Sequence, residues 1–321
     1  MRVAAVLAAV ALTAAPAAAQ APVASPQAPV FKSGSALVSL NVTVQDGIKY
    51  VSGLQPDDFA VYEDGVRQDV RFFESAAIPI DLIVLIDTSS SMGDKLDVVH
   101  NAASGFLKTL REGDRGAVIG FSDTVHVLQT LTPDRTLLEQ AVRATGAKGS
   151  TSLNNAVYIA LKQFGQGARV GADMRRQAIV VLSDGADTSS LVSFDDVVAL
   201  ARKTGVNIYT VSMQSGLTAD VRAQTGRRYF SDSDLAMKTL ARETGAQAFF
   251  PAANELKGVY GTIAAELASQ YSIGYVPANT RPDGRFRRVI VQVVTKPSLH
   301  PRTRQGYTAE AVATSMVISP R

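Results

Sequence analysis

The sequence has 321 residues, 46% of them hydrophobic and 19% charged, a balance that excludes a disordered chain and leaves room for one large domain or two modest ones. With 32 basic and 29 acidic residues the net charge is +3. That surplus is too mild for a nucleic-acid-binding protein, and no Lys/Arg stripe with interleaved aromatics suggests one. Cysteine is absent, which excludes disulfides and attachment through a lipidated cysteine.

Arg2, the short apolar run Val3 to Ala15 and the Ala17-Ala18-Ala19 pattern before Gln20 predict a secretory signal peptide over residues 1–19. The expectation is export to the periplasm or beyond the cell; the Ala-rich signal suggests a bacterium. The run is too short to span a bilayer with anchoring flanks, and no later segment suits a span, so no transmembrane anchor is expected. Residues 20–35 are rich in Ala, Pro and Ser and read as a flexible lead-in.

Residues 36–78 have strand character. Val38, Leu40, Val42 and Val44 alternate with polar residues, and Asp46-Gly47 marks a turn. Phe59 to Tyr62 and Val70 to Phe73 read as further strands, with Glu63-Asp64-Gly65 as a hairpin turn between them.

The pattern changes over residues 80–268. Leu82 to Ile86, Ala117 to Phe121, Ala178 to Leu182 and Val206 to Val211 are continuous apolar runs, as expected of strands buried on both faces of a parallel sheet. Val125 to Gln129 reads as an antiparallel edge strand and Gln247 to Phe250 as a short strand. Helical spacing follows Leu96, and helices are predicted at Leu153 to Phe164, Phe194 to Lys203, Leu235 to Glu243 and Leu256 to Ala268. This alternation predicts an α/β fold: a doubly wound, mostly parallel sheet with helices on both faces.

Strand pattern returns over residues 270–309, where Tyr271, Ile273 and Tyr275 alternate, Asp283-Gly284 turns, and Val289, Val291 and Val293 alternate again. Neither flank has enough strands to stand alone. The two are expected to pack into one antiparallel, β-sandwich-like module, with the α/β domain inserted between its halves; residues 310–321 are a tail.

The chemistry gathers at strand ends. Asp87-Thr88-Ser89-Ser90-Ser91 follows the first buried strand, where open α/β sheets place their ligands. Asp87, Ser89 and Ser91 offer three hard oxygens, the donors that Mg²⁺ and Ca²⁺ prefer. Asp184, in Ser183-Asp184-Gly185, adds a carboxylate at the same sheet edge. Thr151, in Gly149-Ser150-Thr151-Ser152, adds a hydroxyl at a helix start. Asp-x-Ser-x-Ser, the distant Thr and the Asp-Gly after a buried strand together resemble the metal-ion-dependent adhesion site of von Willebrand factor type A domains, over about residues 80–268. The resemblance implies one Mg²⁺ (Mn²⁺ or Ca²⁺ as alternatives) held by Asp87, Ser89, Ser91, Thr151 and Asp184. It also implies a protein partner that supplies an Asp or Glu carboxylate to the ion. The flanks, with Asp57-Asp58-Phe59 to Gly65, Asp283 to Arg287 and Arg304 to Tyr307, are similar to those of a bacterial group of exported proteins related to A domains.

Other features fit bland roles. Asp187 reads as a loop or cap residue. His100, His126 and His300 lack metal-ligand spacing. Arg281, Arg285, Arg287 and Arg288 read as a solvated face of a hairpin, and Tyr271, Tyr275 and Tyr307 as core of the β module. No catalytic constellation stands out: Ser122 lies in Gly120-Phe121-Ser122-Asp123-Thr124 rather than in a nucleophile elbow, and no phosphate-binding Gly-rich loop is present. The expected role is therefore metal-dependent binding or adhesion rather than catalysis. The alternative is a structural subunit of a cell-envelope complex whose metal only stabilises the fold.

Overall fold

The computed structural model of the protein describes residues 37–75, 78–164, 175–213 and 230–309. The predicted signal peptide, the lead-in up to residue 35 and the tail lie outside these residues. Among the described residues the strands form three sheets.

The central sheet has six strands in the order β11-β10-β9-β6-β7-β8. Its middle is β6 (Ile80–Asp87), flanked by β7 (Arg115–Phe121) and β9 (Arg176–Ser183). Every residue of β6 is buried, because helices cover both of its faces. Beyond them lie β10 (Asn207–Ser212), the edge strand β11 (Ala248–Phe249) and, on the other side, β8 (Val125–Thr132). Only β8 runs antiparallel, as its position directly after the tight turn at Ser122-Asp123 predicts.

One face is covered by α1 (Leu96–Leu107), α2 (Arg135–Arg143) and α6 (Leu256–Ser269), through residues such as Val99, Phe106, Leu138, Tyr260 and Ile263. The other is covered by α3 (Leu153–Gln163), α4 (Phe194–Thr204) and α5 (Asp232–Glu243), through Val157, Leu161, Val197 and Leu240. The sequence reading did not include α2. Its signal was nonetheless present: Asp134 accepts hydrogen bonds from the backbone of Thr136 (2.8 Å) and Leu137 (3.3 Å), and Leu138, Ala141 and Val142 share the buried face.

The flanks form two antiparallel sheets over one core. The first has the order β14-β1-β12-β5, with β1 at Val38–Asp46, β5 at Val70–Ser75, β12 at Tyr271–Tyr275 and β14 at His300–Arg302; the short β2 (Lys49–Tyr50) pairs with β1. The second has the order β15-β13-β3-β4, with β3 at Phe59–Glu63, β4 at Val66–Gln68, β13 at Phe286–Val293 and β15 at Gly306–Thr308. Their shared core joins Leu40, Val42, Phe59 and Val61 to Tyr271, Ile273, Val289 and Val291. The Tyr271 and Tyr275 side chains are fully buried and Tyr307 packs against them.

One expected pairing is different. Asp64-Gly65 does close a hairpin, but its second arm is β4, with Val61 opposite Gln68. The two-residue turn takes the very next residues as partners, so Val70 to Phe73 cannot pair with β3. That segment instead crosses to the other sheet, where Phe73 faces Ile273.

The two modules meet at α6. Its Glu266 is fully buried and accepts from Tyr209 (2.7 Å), Tyr50 (3.1 Å) and Thr43 (3.2 Å), and pairs with Arg302 at 2.5 Å. Gln270, the single residue between α6 and β12, donates to Thr43 and Tyr209. Burial, and then the Glu266 charge, push the Tyr209 hydroxyl far above its ordinary range, so it remains a donor.

Candidate metal and partner-binding site

The sheet register builds the site. Ile86 lies beside Leu182 and beside Gly120, so the loops after β6, β7 and β9 leave the same edge. Asp87 is the last residue of β6 and fully buried. Ser89 precedes a 3-10 turn over Ser90–Lys95 that leads into α1. Asp184 follows β9 directly, and Thr151 stands two residues before α3.

Backbone bonds hold these loops together. The Ser90 N–H and hydroxyl both donate to the Gly149 carbonyl, at 3.0 and 3.1 Å. The Lys148 N–H donates to the Thr88 carbonyl at 2.7 Å, and the Thr88 N–H to that of Phe121 at 2.7 Å. The Thr151 carbonyl accepts from Thr188 and Ser189. Gly149 has φ +76, and a Cβ there would lie 2.7 Å from Asp123 Oδ1. Glycine is therefore required to bring this loop against its neighbours.

The predicted side chains converge on this scaffold. Asp87 Oδ1 accepts from the Ser89 N–H at 2.8 Å and Oδ2 from the Ser183 hydroxyl at 2.5 Å. The Ser89 and Ser91 hydroxyls are 3.1 Å apart, and Ser91 donates to Asp184 Oδ1 at 2.8 Å. The Ser89 backbone N–H and the Ser89 and Ser91 hydroxyls thus link the two carboxylates. Thr151 joins by proximity: its hydroxyl lies 3.7 Å from where a Gly185 Cβ would stand. Burial pushes the Asp87 carboxyl up from its ordinary range, hydrogen bonds from Ser183 and Ser89 oppose this, and the Asp184 charge adds to the rise.

Two carboxylates and three hydroxyls are an all-oxygen donor set, which suits a hard divalent cation. Among the described residues no group of three or more His, Cys, Asp or Glu could hold a metal, so the donor set here depends on its hydroxyls.

The von Willebrand factor type A domain model matches residues 81–255. The chain belongs to this family. It is 30% identical over 156 residues to the human voltage-dependent calcium channel subunit alpha-2/delta-4, a match covering 44% of this chain and 13% of the relative. It is 27% identical over 214 residues to a UPF0353 protein of Mycolicibacterium paratuberculosis, covering 62% of this chain and 63% of the relative. The chain thus spans less than two thirds of either relative. The solved von Willebrand factor type A structure from Catenulispora acidiphila aligns with a TM-score of 0.50 at 13% identity, covering 87% of this chain and 65% of that one; this likeness concerns the fold.

The A domain of this chain carries one site residue that sequence reasoning missed. Lys95 lies four positions after Ser91, and its ammonium pairs with Asp184 Oδ2. A Lys one helical turn beyond a candidate ligand is a signal that could have found it. Asp187 behaves as read, capping α3 through the Asn154 N–H (2.7 Å) and its own loop through Ser190 (2.9 Å). Asn155, in the same turn of α3, ties the following loop by accepting from Leu191 and Val192. His100 bonds Thr145 and His126 bonds Thr124. The basic run is not uniformly solvated: Arg287 is buried and pairs with Asp283 at 2.9 Å, because β13 alternates inward and outward at each residue.

Proposed function

We propose that the protein is an exported binding protein that captures an acidic side chain of a protein partner through one Mg²⁺-type ion. Asp87, Ser89, Ser91, Thr151 and Asp184 would hold that ion. The reading is carried by the hydrogen bonds that gather Asp87, Ser89, Ser91 and Asp184 from two strand-end loops, through the Ser89 N–H and the Ser89 and Ser91 hydroxyls. When bound, such an ion supplies an electrophilic coordination position that a carboxylate can take.

This chain's own residues set the charge. Two carboxylates and the Lys95 ammonium leave the site one unit negative, so a divalent ion would make it one unit positive. That surplus favours an anionic partner over a neutral one. The carboxylate beside the Ser91 hydroxyl, Asp184, is already paired with Lys95 rather than free to take a proton, which favours binding over hydrolysis. No helix among the described residues is long and apolar enough to cross a membrane.

Calorimetric titration of the chelated protein with Mg²⁺ or Mn²⁺ is expected to show one site. Asp87→Ala should weaken it by roughly a hundredfold or more, because it deletes the buried charged donor. Unchanged binding in that variant would sink the assignment. Pull-down from an envelope fraction with Mg²⁺ and with EDTA then separates capture from mere stabilisation. If metal affects melting alone, the structural-subunit role holds instead.

Lys95→Met is expected to tighten Mg²⁺ binding by roughly tenfold, equal to ~1.4 kcal/mol. It removes a tethered cation that competes for Asp184; the estimate is held low because the lysine is partly exposed. Equal affinity in the variant, measured by the same calorimetry, would show that the ammonium and the ion do not compete.

The pH dependence has a definite sign. Folded Asp87 holds its proton more tightly than an unfolded Asp. Rising pH therefore removes stability through this residue as it ionises, and a cation that binds the carboxylate restores it. MgCl₂ should raise the Tm near neutral pH and do so progressively less toward about pH 4. A gain independent of pH in calorimetric scans would contradict a role for Asp87.

A further inference from the structure

The basic run in β13 splits by strand alternation. Arg287 turns inward to Asp283, whereas Arg288 is exposed on the outer face. There it lines a cleft of about 490 Å³ between the A domain and the β-sandwich. Lys238 and Arg242 of α5 line the same cleft from the opposite side, and Arg302 of β14 lines it as well. The four cations come from three elements in two modules, and among the described residues no Asp or Glu lines the cleft. In a chain of net charge +3 this is a local concentration of positive charge.

The cations differ in how they are committed. Arg302 is held by Glu266 and by Gln247 (3.4 Å), which fixes its orientation. Arg242 is 3.6 Å from Glu243, but that carboxylate also takes two hydrogen bonds from Arg202, at 2.8 and 3.0 Å. Lys238 lies over the Phe230 ring, 5.4 Å from its centroid, and among the described residues neither it nor Arg288 pairs with a carboxylate. The Nε of Arg302 and the hydroxyl of Thr303, both on lining residues, have no hydrogen-bond partner. Between the charges, Ala248 and Ile290 supply apolar wall.

The geometry points to a binding site for a phosphate monoester carried on an apolar group. Such a phosphate has close to two negative charges near neutral pH and three acceptor oxygens. Arg forks and a Lys ammonium recognise it from several sides, and low-dielectric walls concentrate the positive field on it. The apolar wall would take the organic part of the ester. The site is remote in sequence from the metal loops and does not depend on them.

The test uses the full chain, in EDTA and at constant ionic strength set with chloride. Phenyl phosphate and inorganic phosphate are titrated by calorimetry. The expected result is saturable binding, tighter for phenyl phosphate, and weakened at least about tenfold in the Lys238→Ser/Arg288→Ser double variant. Both residues are exposed, so the fold should tolerate the change. Arg281→Ser, in the loop that joins β12 to β13 outside the cleft, should bind as the parent does. Sedimentation with phosphatidylcholine vesicles, with and without phosphatidic acid, distinguishes a lipid headgroup from a soluble ester. Co-sedimentation that requires phosphatidic acid and is lost in the double variant assigns the phosphate to a membrane. Binding of phenyl phosphate without co-sedimentation assigns it to a soluble ester. The inference is overturned if neither probe binds, if the double variant binds as the parent does, or if inorganic phosphate binds as tightly as phenyl phosphate.

Discussion

A polypeptide of residues 37–75 alone is expected to be unfolded, with the amide dispersion of a random coil in its NMR spectrum. In the whole chain β1 pairs with β12 through Val38 to Val42 and with β14 through Thr43 to Gln45. β3 pairs with β13 along its full length, and β5 pairs with β12. Without residues 270–309, the fragment keeps only the short pairings of β1 with β2 and of β3 with β4. It would also expose Leu40, Val42, Phe59 and Val61, which bury against Tyr271, Ile273, Val289 and Val291. Isolated two-stranded ribbons are marginal at best in water. Residues 80–268 contain two cores of their own and should remain cooperatively folded. A well-dispersed spectrum from residues 37–75 would show that the sandwich halves are independent.

Glu266→Ala is expected to cost about 3 kcal/mol of stability, measured by urea denaturation. The carboxylate is fully buried and is shared by Arg302, Tyr209, Tyr50 and Thr43. Its loss leaves three hydroxyl groups and a guanidinium to find new partners where little water reaches. The Arg302 side chain is 27% exposed, so solvent screens part of its charge and the estimate sits at the low end for a buried pair. Glu266→Leu combined with Arg302→Met should recover much of the loss, since it removes both charges together. A loss below about 1 kcal/mol in Glu266→Ala would mean that the cluster does not hold the modules together.

The same residues show how far the chain could be read before its structure was known. The uninterrupted apolar runs at Leu82 to Ile86 and Ala178 to Leu182 determined a sheet covered on both faces, since strands with a wet face alternate. The hydroxyls and carboxylates at Asp87, Ser89, Ser91, Thr151 and Asp184 were legible as one candidate site, because strand ends in a parallel sheet share an edge. Helix α2 was legible too, through the Asp134 cap and the spacing of Leu138, Ala141 and Val142, although apolar runs drew attention elsewhere.

Other features depend on the tertiary structure. The crossing of Val70 to Ser75 to the other sheet is decided by a partner strand, Tyr271–Tyr275, far along the chain, which local spacing does not encode. Glu266 sits in α6 with no local mark of its burial; Thr43 and Tyr50, Tyr209, and Arg302 reach it from three separate stretches of chain. Lys95 could be placed on the turn after Ser91, but only the approach of the β9 loop brings Asp184 to it. The sheet, the helices and the candidate donors at the strand ends are legible because they follow from periodicity and from chemistry within short windows. The tertiary structure decided which charges face one another, because that depends on how distant segments pack, and packing is a property of the whole chain.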